Sequence, residues 1–323
     1  MKTLLVCSGG GHLKQLFTLT RRLGIPAEDQ HWVTFANGLS RSLLEDRDVT
    51  FVPFAAPRDA VNIARIAIRA RRLLGEVDID RAISTGSSPA VAFLPLAARR
   101  GIDTHYIESA ARASGPSLSG KIIARFPEIA TYTQYPGWAD GRWNFGGSIF
   151  DEFEAVAEKP RPGGIRKVVV SVGTQDGYQF DRLYRSLAPL LAGKEVLWQT
   201  GPQDVTRFGI RDARASVPHA ELQTAVREAD LVVAHAGTGA ALTAIEADKC
   251  PVLVPRRSQF REHVDDHQLQ IAGELSRRGL AIAREADALD ENVLELAAGR
   301  ATRRVEPAPF LLSPRASGAT QVA

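Results

Sequence analysis

Cysteine is nearly absent from this chain: two in 323 residues, Cys7 and Cys250, each beside an apolar strand pattern. Two thiols so placed exclude a disulfide framework and a paired metal motif, and they read as buried side chains. Long hydrophobic runs are missing as well. The longest, around Ala90–Ala98, is interrupted by Pro95 and falls far short of the roughly 20 apolar residues a bilayer-spanning helix needs. Nor is there a secretory signal, because Met1–Val6 runs straight into a strand pattern and a glycine turn. Charge of one sign is not in excess: 40 lysines and arginines face 37 aspartates and glutamates, a net +3. That balance gives no reason to expect nucleic acid as a partner. It permits an anionic surface such as phosphate-bearing lipid, although the preference for arginine over lysine also fits a GC-rich genome. The expectation is a cytoplasmic protein, or one peripheral on the inner face of a membrane.

What the chain does have is an alternation. Hydrophobic residues make up 44% and charged residues 24%, the proportions of a soluble globular protein, and the length suffices for two domains with separate cores. Short β-rich runs alternate with helical patterns, which is how a parallel α/β sheet reads in sequence. Strands are expected at Lys2–Cys7, Trp32–Phe35, Thr50–Phe54, Ala82–Thr85, His105–Ile107 and Ile129–Thr133. Helical spacing lies between them at Leu13–Leu23, Val61–Leu74 and Ala90–Arg99. After Phe150 the pattern decays into AVAEKPRPGGIRK, a linker ending near Arg166. A second alternation follows, with strands at Lys167–Val172, Glu195–Gln199, Leu231–Ala236, Val252–Pro255 and Leu280–Ala283. Two doubly wound lobes are therefore expected, 1–157 and 167–300. Residues 301–323 form a tail that loses periodicity, with disorder expected from Ser313. Ligands of such sheets bind beyond the carboxyl ends of the strands, so the expected site is the cleft between the lobes.

The second lobe carries the more specific pattern. Its strand ends in His235-Ala236-Gly237-Thr238-Gly239, and a helical pattern starts at once. Backbone N–H groups at a helix N-terminus are unpaired, and the helix dipole adds partial positive charge, so the turn suits phosphate. Gly237 and Gly239 leave no side chain in the way. Gly173 and Thr174 end the first strand of this lobe and are expected to face that turn. Glu246 follows Gly239 by seven residues, two helical turns, and can return toward the same side. A carboxylate there suits both hydroxyls of a ribose; the plainer reading is a solvated helix glutamate. Arg256, Arg257 and Arg261 read as phosphate or carboxylate contacts. His267 and Gln268 close a polar cluster with Asp265 and Asp266. His263 and His267 have a spacing that zinc sites use, but they sit in a loop entering a helix with no third ligand cluster apparent, so no metal site is expected.

In the first lobe, Gly9, Gly10 and Gly11 follow the opening strand and His12 begins the helix. The turn is not GxGxxG with an acidic residue ending the next strand, which argues against a nicotinamide cofactor. A histidine at the rim of a glycine turn can take a proton from an attacking hydroxyl near neutral pH; it can equally be a helix-end histidine without that role. Ser84-Thr85-Gly86-Ser87-Ser88 before Pro89 reads as an anion nest or as simple N-capping. Glu108-Ser109 ends a buried-type strand, and Glu108 fits a general base, an orienting group or a structural acceptor.

The C-terminal half resembles the donor-binding domain of family 28 glycosyltransferases. The residues that carry the resemblance are Val172-Gly173-Thr174, Phe180-Asp181-Arg182-Leu183, His235-Ala236-Gly237-Thr238-Gly239, Glu246, Pro251, Pro255-Arg256-Arg257, Glu262-His263 and Asp266-His267-Gln268. Within that family it looks most like the catalytic subunit of the dolichol-linked N-acetylglucosamine transferase and its bacterial polysaccharide relatives. The N-terminal half resembles the companion, membrane-recruiting subunit through Ser8-Gly9-Gly10-Gly11-His12-Leu13, Ser84-Thr85-Gly86, Tyr106-Ile107-Glu108-Ser109 and Gly146-Gly147-Ser148-Ile149-Phe150. The resemblance runs from Leu4 to about Leu296. It implies a GT-B fold, a UDP-sugar donor on the C-terminal lobe and a lipid-linked saccharide acceptor on the N-terminal lobe. It also implies inversion at the anomeric carbon without an obligatory metal. Gly10, Gly11, Thr85, Gly86 and Ser109 then fall on the acceptor side. The companion subunit's N-terminal membrane helix has no counterpart here.

Two other functions fit a two-lobed fold: a UDP-sugar 2-epimerase, and a sugar-nucleotide-binding protein without catalysis. A last feature concerns membranes. Arg58, Arg65, Arg69 and Arg72 fall on one helical stripe, with Ile63, Ile66, Ala70 and Leu74 as an apolar face beside it. Such a helix either rests on anionic lipid or is an ordinary outer helix of its lobe.

Overall fold

The computed structural model describes residues 1–56, 59–157, 164–173 and 177–312. Thr174, Arg58, most of the expected linker and the tail from Ser313 lie outside the described residues. The chain divides into two compact units. The first comprises Met1–Ala110, Ser114–Ile149 and a segment beginning at Ala308; the second comprises Ala111–Ala113 and Phe150–Pro307.

The first unit is built on seven strands: β1 (Thr3–Cys7), β2 (Gln30–Phe35), β3 (Val49–Val52), β4 (Arg81–Gly86), β5 (Asp103–Ile107), β6 (Ala130–Thr133) and β7 (Asn144–Phe145). They pair in parallel in the order β3-β2-β1-β4-β5-β6-β7. The chain starts in the middle and winds outward both ways, the doubly wound order in which β1 and β4 adjoin at the reversal. Central strands covered by helices on both faces are apolar throughout, which is why Leu4, Leu5, Val6 and Cys7 are all fully buried. Phe93 and Leu94 of the helix Ser88–Arg99 lie in the same interior, and each such side chain stabilises by about 1.5–3 kcal/mol on burial. That helix continues through Pro95.

In the second unit, β8 (Phe153–Ala157) precedes β9 (Lys167–Ser171), β10 (Glu195–Gln199), β11 (Leu231–His235), β12 (Val252–Val254), β13 (Ile282–Ala283) and β14 (Arg300–Arg304). A parallel sheet has the order β10-β9-β11-β12-β13, while β14 and β8 form a separate antiparallel pair. Val168, Val170, Leu183, Tyr184, Leu187, Val233 and Val252 fill the core of this unit.

The β8–β14 pair differs from the expectation of a linker after Phe150 and a loss of periodicity from about Arg300. Both strands are short edge pieces that mix exposed charge with small residues, so neither shows the buried apolar run that marks the central strands. After β14 the chain returns to the first unit. Leu311 N–H donates to the Gly146 carbonyl at 2.9 Å, and a Cβ on Gly146 would come within 2.8 Å of the Phe310 ring. That close approach explains the glycine.

The helix Ala60–Glu76 also departs from one expectation. Ile66, Ala70 and Leu74 are buried in the core of the first unit, with Ile63 packed against it, so this apolar face is not presented to lipid. The outward face carries Arg65 and Arg69 with exposed Val61 and Ile68, while Arg72 pairs with Glu76 at 2.7 Å. Among the described residues, no helix is long and apolar enough to cross a membrane.

Candidate functional site

The turn after β11 is built around one imidazole. His235 ends the strand and its Nδ1 lies 3.4 Å from the Ser171 carbonyl of neighbouring β9. A Cβ on Gly237 would sit 2.3 Å from His235 Nε2, and one on Gly173 would sit 3.1 Å from its Cε1. Both glycines therefore exist to make room for the ring, and Gly173 also adopts φ +78°. Burial, with the nearby Arg256 cation second, pushes the His235 pKa down to about 3, so the ring is neutral at pH 7.

The helix Thr238–Ile245 starts on Gly237, and among the described residues no side chain caps it. Its first-turn N–H groups consequently keep the open face that an anion can take. Ala241, Leu242, Ala244 and Ile245 are buried, whereas Gly239, Thr243 and Glu246 are only partly so. Those three positions, at i, i+4 and i+7, share one side of the helix. Glu246 closes the helix at its C-cap, about 12 Å along the axis from the N-terminus.

The arginines behave differently from the expectation. Arg256 is buried, and its guanidinium donates to the carbonyls of Val172 (3.2 Å), Glu262 (3.3 Å), Tyr178 (3.4 Å) and Gln179 (3.5 Å). It also lies 4.8 Å over the Phe180 ring. It fixes the loop after β9 from inside. Arg257 Nη1 donates to Glu285 at 2.6 Å, and Arg182 holds buried Glu262 through two bonds of 3.0 and 2.9 Å. Arg257 thus belongs to a structural ion-pair network. Arg261 is exposed, with φ +57°. Gln268 is buried and accepts from the Arg256 backbone N–H at 2.9 Å, which aligns the start of the helix His267–Arg277.

Just before that helix, the chain brings together what the spacing alone did not reveal. Asp265 supplies a third group between His263 and His267: His267 Nδ1 hydrogen-bonds Asp265 Oδ1, and His263 Nδ1 is 3.8 Å from the same oxygen. The third ligand-type side chain lies inside the loop, so no separate cluster exists in sequence to signal it. Burial, then His267, pushes the His263 pKa down to about 4, and the bond from His267 holds Asp265 well below the usual carboxylate range.

In the first unit, β1 and β4 are neighbours, with Cys7 opposite Gly86. Two helices therefore begin side by side, Gly11–Arg22 after Gly10 and Ser88–Arg99 after Ser87, neither with a side-chain cap. Gly10 has φ +70° and Gly86 φ +119°, and Ser87 accepts φ +72° without being glycine, the kind of backbone strain that collects at functional turns. His12 Nδ1 is 2.8 Å from the Thr85 carbonyl, and Thr85 Oγ1 donates back to the His12 carbonyl at 2.9 Å. A carbonyl can only accept, so Nδ1 carries the proton and the basic lone pair is on Nε2.

Glu108 is held by internal partners. It is fully buried; Oε1 accepts from Ser109 N–H at 3.0 Å, and Oε2 from the N–H and hydroxyl of Ser117 at 2.9 and 3.0 Å. It anchors Ser117, the N-cap of the helix Leu118–Ile123. Ser109 is likewise buried, accepting from Gln15 Nε2 at 3.1 Å. Gln15 was missed in the sequence. Its signal is a polar residue four before buried Leu19, on the stripe that faces the core.

Against known proteins, residues 167–321 match the model of the glycosyltransferase family 28 C-terminal domain. The matched stretch is just under half of the chain and begins at β9 of the second unit. A curated relative, the UDP-N-acetylglucosamine--N-acetylmuramyl-(pentapeptide) pyrophosphoryl-undecaprenol N-acetylglucosamine transferase of Solibacter usitatus (strain Ellin6076), is 29% identical over 203 residues, 56% of this chain and 53% of that protein. The chain thus matches about half the length of that relative. Among solved structures, Acinetobacter baumannii MurG aligns over 91% of this chain and 89% of its own, at 17% identity and a TM-score of 0.57. The UDP-GlcNAc 2-epimerase of Methanocaldococcus jannaschii aligns over 93% and 91%, at 11% identity and a TM-score of 0.58. At these identities the likeness is one of fold, and the chain has the GT-B fold. Within the matched stretch, Gly173, His235, Ala236, Gly237, Thr238 and Gly239 gather at the carboxyl ends of β9 and β11. Glu246 stands at the far end of the helix that follows.

Proposed function

We propose that this chain is an inverting glycosyltransferase that moves a sugar, N-acetylglucosamine being the first candidate, from a UDP-sugar onto a polyprenyl-diphosphate-linked saccharide. The observation that carries the proposal is the uncapped helix Thr238–Ile245 in a family 28 domain, with Gly239, Thr243 and Glu246 along its one partly open side. The donor diphosphate meets the first-turn N–H groups, and the ribose hydroxyls meet Glu246. Neutral His235 shapes the turn without adding charge. His267 and Gln268 border the sugar end, and no metal is assigned a step.

The acceptor lies on the first unit. The paired helix starts at Gly10–Gly11 and Gly86–Ser87 receive its diphosphate, and His12, oriented by the Thr85 carbonyl, takes the proton of the attacking hydroxyl at Nε2. General-base assistance of this kind contributes about 10²–10⁴-fold in rate. Glu108 positions the neighbouring loop. The chain would then hold in one polypeptide what the dolichol-linked transferase divides between two subunits, and work at the inner face of a membrane. Arg65 and Arg69 supply the electrostatic attraction to anionic lipid.

His12→Ala tests the assignment: UDP affinity should stay within about twofold while the transfer rate falls at least about 100-fold. Near-normal transfer by that variant would remove His12 from the chemistry. Sedimentation with anionic vesicles should weaken with salt and with charge reversal at Arg65 and Arg69. Equal association with neutral vesicles would retire the membrane contact.

A further inference from the structure

We propose that His263, Asp265 and His267 form a binding site for a transition-metal dication of borderline softness, Zn2+ being the probe of choice. The three side chains offer one ligand atom each, all within 4.8 Å of one another. The imidazole rings stand edge to face with centroids 4.6 Å apart, and both Nδ1 atoms turn toward Asp265 Oδ1. Tetrahedral zinc bonds to N and O place ligand atoms about 3.3 Å apart, a contraction within reach of rotation at the two imidazole side chains.

A second observation points the same way. Among the described residues, His263 Nδ1 is buried and has no hydrogen-bond partner. A buried ring nitrogen without a partner is destabilising, and a metal ion satisfies it. The groups around the cluster are those that hold ligands in place. Arg112 Nη2 donates to Asp265 Oδ2 at 2.8 Å, leaving Oδ1 toward the imidazoles, and the His267 backbone N–H donates to Oδ1 at 3.2 Å. Tyr178 stacks on His263 with ring centroids 5.5 Å apart and planes at 17°.

Two nitrogens and one oxygen select zinc, nickel or cobalt over magnesium and calcium, which prefer oxygen alone. Three protein ligands leave a fourth position for water or an incoming anion.

The test is calorimetric titration of ZnCl2 into the full chain after chelator treatment, with MgCl2 as the comparison. The expected result is one Zn2+ per chain, affinity lower by at least about tenfold in both His263→Gln and His267→Gln, and unchanged binding in Cys7→Ser and Cys250→Ser. A far-ultraviolet spectrum confirms that each variant is folded. Cobalt should give the visible bands of a four-coordinate N/O site without thiolate charge transfer. No stoichiometric Zn2+ binding, parent-like Zn2+ affinity in either histidine variant, or equally tight Mg2+ overturns the proposal.

Discussion

Gly237→Ala separates two explanations of the glycine turn by the sign of its effect. Gly237 has φ −100° and ψ 140°, a conformation alanine adopts without strain. If the glycine served only to clear space for a ligand, the substitution would stabilise the protein by about 0.4–1 kcal/mol, because alanine restricts the unfolded chain. The structure gives the opposite sign. The new Cβ would lie 2.3 Å from His235 Nε2 and 2.9 Å from Cδ2. The ring cannot simply retreat, since it already lies against Gly173. Overpacking of this kind costs about 1–3 kcal/mol, which outweighs the entropic gain and leaves a net loss of about 1–2 kcal/mol. The assay is urea denaturation of Gly237→Ala, His235→Ala and the double variant. Removing the ring should relieve the clash, so the double variant should be more stable than the sum of the single effects by at least about 1 kcal/mol. A Gly237→Ala protein as stable as the parent, or strictly additive effects, would refute the packing argument.

Glu246→Ala should lower UDP affinity by more than about tenfold, since hydrogen bonds to a charged acceptor contribute about 1.5–3 kcal/mol; calorimetry showing unchanged affinity would move the ribose elsewhere. Glu108→Ala should destabilise the first unit by about 1–3 kcal/mol, because the Ser109 and Ser117 N–H groups lose their buried acceptor. An unchanged denaturation midpoint with abolished transfer would instead make Glu108 the base. His235 links stability to pH. An unfolded histidine protonates near 6.5 whereas His235 resists protonation down to about 3, so the unfolded state binds more protons between those values. Its contribution is full above pH 6.5 and is lost as pH falls toward 3, by up to about 1.4 kcal/mol per unit. His235→Asn should flatten that slope, and identical slopes in parent and variant contradict a buried neutral ring.

Much of the architecture was legible because central parallel strands are apolar on both faces and end in glycine turns. LLVC, VVVS and LVVA mark β1, β9 and β11 without help from tertiary context. The β8–β14 pair was not legible, since EAVA and RATRR mix charge with small residues, and only the partner strand makes sense of either. Glycines at 173 and 237 stand out in sequence as turn residues, but their reason, the His235 ring, is a contact between β9 and β11. Buried charge was the hardest to read. Arg256 and Glu108 are polar residue types at strand ends, where ligand contact and internal hydrogen bonding look alike. Four carbonyls surround one and four donors the other, so each has internal partners that its sequence position does not reveal.

Release of UDP from UDP-N-acetylglucosamine and other UDP-sugars, followed with and without a polyprenyl-diphosphate-linked saccharide, tests the central claim most directly. The account predicts UDP release only when the lipid-linked acceptor is present, with one sugar added to it and the β-linkage that inversion of an α-linked donor requires. Conversion of the free UDP-sugar to its 2-epimer without acceptor, or UDP-sugar binding with no turnover on any such acceptor, would contradict it.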